Sequence, residues 1–557
     1  MADIDIAETF TAPPRPTTLG WMAGRGVGWT AVAIVVAALV GAPVVVVAAH
    51  LLVPSGEVWA HLADTVLGLY IANSLWLMAG VGAGVIVGGV GAAWLVTMCR
   101  FPGSHMLEWA LLLPMAMPAY VVAYTYTGLL DFAGPVQSGL RALFGWSSAR
   151  DYWFPEVRSL GGAVAVMVLV LYPYVYMLAR AAFLEQSVCV LEASRTLGRG
   201  AWRGFFQVAL PLARPAVVAG TALALMETLN DFGTVHYFAV DTFTTGIYRT
   251  WLGLRQPAVA AQLGALLMMF VLALVLVERA SRGARKYHHT TGRYRRLPRY
   301  RLHGWGCIAA QAFCLLPVVL GFGLPAGVLA AWAVETGAEA MFAADFLTIV
   351  GNSFLLASIA AVLAVAVALV LAYAQRLHPT RPTRAAVRLA SLGYAVPGSV
   401  IAVGTLLPLA QLGQALGVML IGTVAALAYA YLVRFLAVSF GSVESSLGKV
   451  TASMEAASRT LGLGAWGTLR RVHVPIIRGS LLSAGLLVFV DVMKELPATL
   501  IMRPFNFDTL AVRTFSLAGD ERLAEAAAPA LAIVLVGLAP VILLSRAIAR
   551  SRPGSAE

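Results

Sequence analysis

Twelve runs of predominantly apolar residues, each about 20 residues or longer, narrow what this chain can fold into more than any other feature. They lie near 28–53, 70–98, 106–130, 160–184, 212–235, 257–278, 305–333, 347–375, 388–412, 415–440, 479–502 and 525–548. With 60% of its 557 residues hydrophobic and 12% charged, the chain has too much apolar surface for a water-facing globule. The expected class is an all-α polytopic membrane protein of about twelve transmembrane helices. No stretch is left for a long soluble domain.

Two polar segments between these runs nearly repeat each other. EASRTLGRGAWRGFFQVALP at 192–211 returns as AASRTLGLGAWGTLRRVHVP at 456–475, with 11 of 20 positions identical. The likeness extends without a gap from Ser194 to Trp251 and from Ser458 to Phe515, pairing Gly198 with Gly462, Trp202 with Trp466 and Pro211 with Pro475. Upstream, Asn73 matches Asn352 and Pro118 matches Pro397 at an offset of 279 instead of 264. The first half therefore carries about 15 extra residues, placed in DFAGPVQSGLRALFGWSSARDYWFPE. Two parallel six-helix repeats follow, with an approximate twofold axis along the membrane normal and a substrate path expected between them.

Charge gives the orientation. The most basic segment, ERASRGARKYHHTTGRYRRLPRYRLHG, joins the two halves, and positive loops stay on the cytoplasmic side. Both repeated loops then face the cytoplasm as well. The expected organisation is a cytoplasmic N-terminal tail at 1–27, a first unit at 28–278, a basic linker at 279–304, a second unit at 305–548 and a cytoplasmic C-terminal tail at 549–557. The apolar run after the tail is too long for a signal-peptide core, so no cleaved leader is expected. The +12 net charge reflects this topology and contact with anionic lipid headgroups, not nucleic-acid binding. The four cysteines form no CxxC pair, and the histidines show no zinc spacing. No nucleophile elbow or phosphate cradle is present.

The repeated loop reads as a short helix over 184–197 closed by Gly198, a residue suited to left-handed backbone, then a second short helix through 201–208. Pro211 and Pro215 are expected at the start of the next span, where proline costs least. Such a unit on the membrane face, written twice, suits docking of a cytoplasmic motor.

Glu192, Ala193, Ser194 and Gly198 resemble the cytoplasmic signature of permeases in binding-protein-dependent ABC importers, a glutamate-alanine-alanine motif with glycine four positions on. In the second copy Ala456 takes the glutamate position, Glu455 falls one residue early, and Ala457 and Gly462 follow. The resemblance implies that these loops dock two copies of an ABC ATPase subunit. ATP and magnesium would then sit on that partner, since no GxxxxGK[ST] occurs here, and this chain would be a transport subunit without an ATPase site or cofactor of its own. Four further segments, LPMAMPAYVVAYTYTGLLDFAGPV, LNDFGTVHYFAVDTFTTGIYRTW, DVMKELPATLIMRPFNFDTLAVRTF and DERLAEAAAPALAIVLVGLAPVILL, look like the fused two-unit permease of ferric-iron ABC importers. That implies the type I importer permease fold, location in the bacterial inner membrane, and a periplasmic binding protein docking on loops that include 131–159, 236–256 and 503–524. Related fused permeases carry thiamine or aminophosphonates. A secondary transporter or channel is the rival from another class; it would need no docking loop.

One polar feature lies inside the apolar runs. Span 5 reads ALMETLNDFG and span 11 VFVDVMKELP, and the repeat pairs Glu227 with Asp491, Asn230 with Lys494 and Asp231 with Glu495. In each helix the acidic residues are four apart and the third polar residue is three after the first, so all three share one face. An ionisable group at midplane costs roughly 2.5–3.5 kcal/mol, so the face should point inward and line the translocation path. The opposing reading has Lys494 neutralising the acids and pinning the two helices together. Carboxylates suit a hard cation such as Fe(III), held weakly enough to leave.

Overall fold

The computed structural model describes residues 23–54, 56–186, 196, 201–282, 299–337, 344–391 and 393–550. Eleven helices among them are long and apolar enough to cross a membrane: Gly28–Leu52, Gly56–Met98, Leu160–Leu184, Trp202–Asn230, Pro257–Ser281, Trp305–Thr336, Asp345–Leu377, Gly398–Leu416, Val424–Leu447, Ala465–Met493 and Leu523–Leu543. A twelfth crossing, third in chain order, is broken: Ser104–Ala116 and Ala119–Phe144 meet at 90°. We number these spans 1 to 12. Pro118 causes the break, since proline lacks an N–H and holds its neighbour out of helical backbone. Pro397 stands in the same extended backbone at the start of span 9. The chain is a multi-pass membrane protein, and leucine and valine side chains such as Val35, Val45, Val87 and Val362 cover its outer surface.

Several boundaries depart from the sequence reading for identifiable reasons. The ninth apolar run merges two elements: Arg381–Ala390 is a separate short helix, and the span begins only at Gly398, after the irregular turn that Pro397 imposes. Gly417 and Gly422, at φ +66° and +71°, then end span 9 and turn the chain, so span 10 starts at Val424 under a Thr423 cap. Pro211 and Pro475 do not open new spans. Each lies inside a continuous helix, preceded by a π-turn at Phe205–Ala209 or Leu469–His473 that absorbs the missing hydrogen bond.

The two sequence halves do not pack as separate bodies, because they exchange their first helices. Span 1 lies against spans 8 and 9 and the Arg381–Ala390 helix. There Thr30 Oγ1 is 3.0 Å from both His378 Nδ1 and Thr383 Oγ1, and the Tyr429 hydroxyl donates to the Leu39 carbonyl at 2.5 Å. Span 7 reciprocates on the first half: Tyr126 donates to Leu320 O at 2.8 Å and Gln311 to Pro102 O at 3.0 Å. The end of the basic linker is fastened as well. Tyr300–Arg301 pairs as a short parallel strand with Cys99–Arg100, and Arg299 reaches Glu108 at 3.2 Å.

Candidate functional site

Span 5 ends at Asn230 and span 11 at Met493, so the three polar residues of each stretch do not share one helical face. The chain turns at Asp231 and at Lys494–Glu495, and a short helix follows in each half, Gly233–Tyr237 or Pro497–Met502. A carboxylate makes the turn in both cases. Asp231 accepts from the Thr234 and Val235 N–H groups at 2.9 and 3.2 Å and from the Thr234 hydroxyl at 3.0 Å. Glu495 accepts from the Ala498 and Thr499 N–H groups at 2.9 and 3.0 Å and from the Thr499 hydroxyl at 2.5 Å. The helix breaks because the side chain offers these amides a better acceptor than the preceding turn does.

These turns bring all six residues together. Glu227, Asn230, Asp231, Asp491, Lys494 and Glu495 line one cavity of about 120 Å³ between the halves, with the broken span 3 (Met115 to Tyr120) and spans 4 and 10 completing its wall. Asn230 spans the halves directly: its Oδ1 accepts from Gly398 N–H at 2.7 Å. The Lys494 ammonium sits 3.1 Å from Asp491, one turn back in the same segment, and faces the cavity that Glu227 of span 5 also lines. Glu495 pairs with Arg434 of span 10 at 2.7 Å, almost wholly buried. Gly398 makes room for this pair, since a Cβ there would lie 2.1 Å from the guanidinium.

Arg434 is the site residue the sequence reading missed. A lone arginine inside LAYAYLVRFLAVSF is a signal in itself, because an ionisable group in a span is a functional candidate. The repeat concealed it: Val170 stands at the aligned position in the first half. Counting Glu227, Asp231, Asp491 and Glu495 against Arg434 and Lys494, the wall carries four acids and two bases. Among the described residues, no group of three or more His, Cys, Asp or Glu side chains could hold a metal ion. Two of these acids are paired, Glu495 with Arg434 and Asp491 with Lys494.

The repeated loops are seen unequally. Glu192, Ala193, Ser194 and Gly198 lie outside the described residues. In the second copy, the helix Ala452–Thr460 ends as that loop was expected to end, with Gly462 at φ +82°. Gly462 N–H donates to Arg459 O at 2.9 Å and Leu463 N–H to Ser458 O at 3.1 Å, a Schellman closure. Ala456, Ala457, Met454 and Leu461 face outward, and so does Trp466. Glu455 does not: its carboxylate turns back into the bundle, 2.5 Å from Arg376 Nε and 2.9 Å from His473 Nε2. Burial alone would raise this carboxyl's pKa, but the hydrogen bonds from Arg376 and His473 and the arginine's charge take it below the usual glutamate value.

A helix bundle of two parallel repeats, with exchanged first spans and a charged cavity where they meet, has the architecture of a transport permease. Residues 80–286 match the family described as binding-protein-dependent transport system inner membrane component. The chain is 27% identical over 481 residues to the Fe(3+)-transport system permease protein FbpB 2 of Haemophilus influenzae, covering 86% of this chain and 89% of that one. Shorter matches, each 33% identical, reach the molybdenum permease ModB of Escherichia coli over 159 residues and the sulfate permease CysT of the same organism over 147, covering 64% and 50% of those proteins. The chain is a permease of the binding-protein-dependent transport family, with both of its units in one polypeptide.

Proposed function

We propose that this permease moves ferric iron, free or chelated, from a periplasmic binding protein into the cytoplasm by alternating access, driven by ATP hydrolysis on two copies of a partner ATPase. The cavity between the halves carries the reading: ionisable residues of both repeats line it, and four acids against two bases favour a cation. The relative that covers most of the chain is named for Fe(3+), and carboxylate oxygens suit a hard ion. Dispersed carboxylates bind weakly enough for release.

The remaining roles follow. The loops at 192–198 and 455–462 face the cytoplasm, as do both termini and the basic linker, and each loop receives one ATPase subunit. The outward alanines, Met454 and Leu461 suit an apolar groove on that partner. ATP and magnesium act on the partner chains, with no cofactor in this one. The loops at 131–159, 236–256 and 503–524 receive the binding protein. The chain order of the units, 28–278 and 305–548 between short tails, is that of the transmembrane pathway with the basic segment 279–304 as its joint.

Purification from native membranes in mild detergent tests the machine, because ATPase and binding protein should accompany the chain. Reconstitution in liposomes then tests the cargo. Ferric-loaded binding protein should stimulate ATP hydrolysis and drive ferric uptake; stimulation by a molybdate- or sulfate-loaded protein alone would overturn the iron assignment.

A further inference from the structure

Arg376, at the last turn of span 8, makes three contacts that no family motif predicts. Its Nε meets Glu455 at 2.5 Å, and its two terminal nitrogens donate to the Leu447 and Val450 carbonyls. Leu447 is the last residue of span 10, and Glu455 lies in the Ala452–Thr460 helix. His473 of span 11 takes the other side of the same carboxylate oxygen at 2.9 Å, its ring edge-on to Tyr373 at 5.2 Å between centroids. Tyr373, one turn before Arg376, donates to Ala465 O at 2.6 Å. One guanidinium and one carboxylate thus join spans 8, 10 and 11 to the second loop.

The aligned positions of the first half carry other residue types. At the aligned positions Thr97 replaces Arg376, Leu191 replaces Glu455 and Ala209 replaces His473. Aromatic rings occupy the space instead: Trp94, aligned with Tyr373, packs on Phe183 and Phe205 at 5.6 and 4.8 Å. Beside them Gln186 donates to Ala209 O at 2.8 Å. Apolar packing tolerates small slides, whereas a forked guanidinium bound to a carboxylate and two carbonyls fixes direction as well as distance.

We infer that Arg376 is a positioning residue for energy coupling: with Glu455 it makes the second loop a rigid extension of spans 8, 10 and 11, a brace for which the aligned positions of the first half carry Thr97 and Leu191. This rests on the proposal that the loops receive the ATPase subunits. Glu455 is then a brace, and the docking face is the opposite side of its helix.

The test uses the full complex of permease, its co-purified ATPase subunits and ferric-loaded binding protein in liposomes, read as ferric ions transported per ATP hydrolysed. Glu455→Gln keeps shape and hydrogen bonding but removes the charge, and Arg376→Met removes the fork. Each should lower the transport ratio about tenfold, the loss expected for one charge-assisted bond, with permease abundance and bound ATPase unchanged. Arg376→Lys should recover part of the ratio, since an ammonium can keep the carboxylate but not both carbonyls. Should Arg376→Met fail to accumulate, Glu455→Gln still decides the matter. A ratio within twofold of wild type in Glu455→Gln, or no recovery with lysine beyond the methionine level, overturns the brace. Wild-type permease that carries no ATPase overturns the functional proposal itself, and the brace with it.

Discussion

The first and second halves of this permease build the same turn at the end of corresponding spans and stabilise it differently. Asp231 is satisfied by its own turn, through two amides and the Thr234 hydroxyl. Glu495 has the same three kinds of donor and also the Arg434 guanidinium, where the first half has Val170. The loops repeat the contrast, with Arg376, Glu455 and His473 in the second half and Trp94, Phe183 and Phe205 near the first. Duplication has preserved backbone roles while the ion pairs that fasten spans fall at different positions, Arg180 with Glu108 in the first half and Arg434 with Glu495 and Arg376 with Glu455 in the second. At the cavity turn and the loop, the second half should accordingly be the less tolerant of charge removal.

The largest expected effect comes from breaking the buried pair. Arg434→Met leaves Glu495 almost fully buried without its cation, a change worth about 3–5 kcal/mol, and should appear as loss of folded protein in detergent melting and in membrane abundance. Arg434→Met with Glu495→Gln should recover most of that loss. Val170→Met, the matching change in the first half, should shift melting little. A mild Arg434→Met phenotype would dissolve the contrast between the halves.

The span count and order were legible because bilayer crossing demands long apolar runs, and the repeat was legible because identity survives at Gly462, Trp466 and Pro475. The exchange of first helices was not: spans 1 and 7 present apolar faces that say nothing about which half they join. The broken polar turns were misread because four-residue spacing is the same in a continuous helix and in a helix that stops to let a carboxylate accept the next amides. Glu455 looked like a displaced docking residue, since its true partners, Arg376 and His473, lie 79 and 18 residues away. Long-range pairing of charges has no signature in a single sequence.

A smaller effect sharpens the comparison at the loop. Gly462 holds φ +82° with open space around it, so Gly462→Val carries a backbone cost of roughly 1–2 kcal/mol and no clash. Substrate-stimulated ATPase activity should fall while membrane insertion persists, and Gly462→Asn, which tolerates left-handed backbone, should retain most of the activity. Smaller still, Asn230→Leu removes the hydrogen bond to Gly398 that joins the halves across the cavity, at a cost of about 1 kcal/mol. Melting should drop slightly, and the double change with Gly462→Val should be additive, because the two sites share no partner.

The cavity as the route is the central claim, and replacing Glu227 with glutamine and Asp231 with asparagine tests it most directly. The amides keep size and hydrogen-bonding groups while deleting two of the four acids in the wall. In liposomes holding the complete importer, ferric uptake at saturating binding protein should fall about tenfold, as the loss of roughly 1.4 kcal/mol of favourable charge contact along the path implies. Abundance, melting and ATPase association should stay at wild-type levels. Wild-type ferric uptake by the double variant would contradict the account.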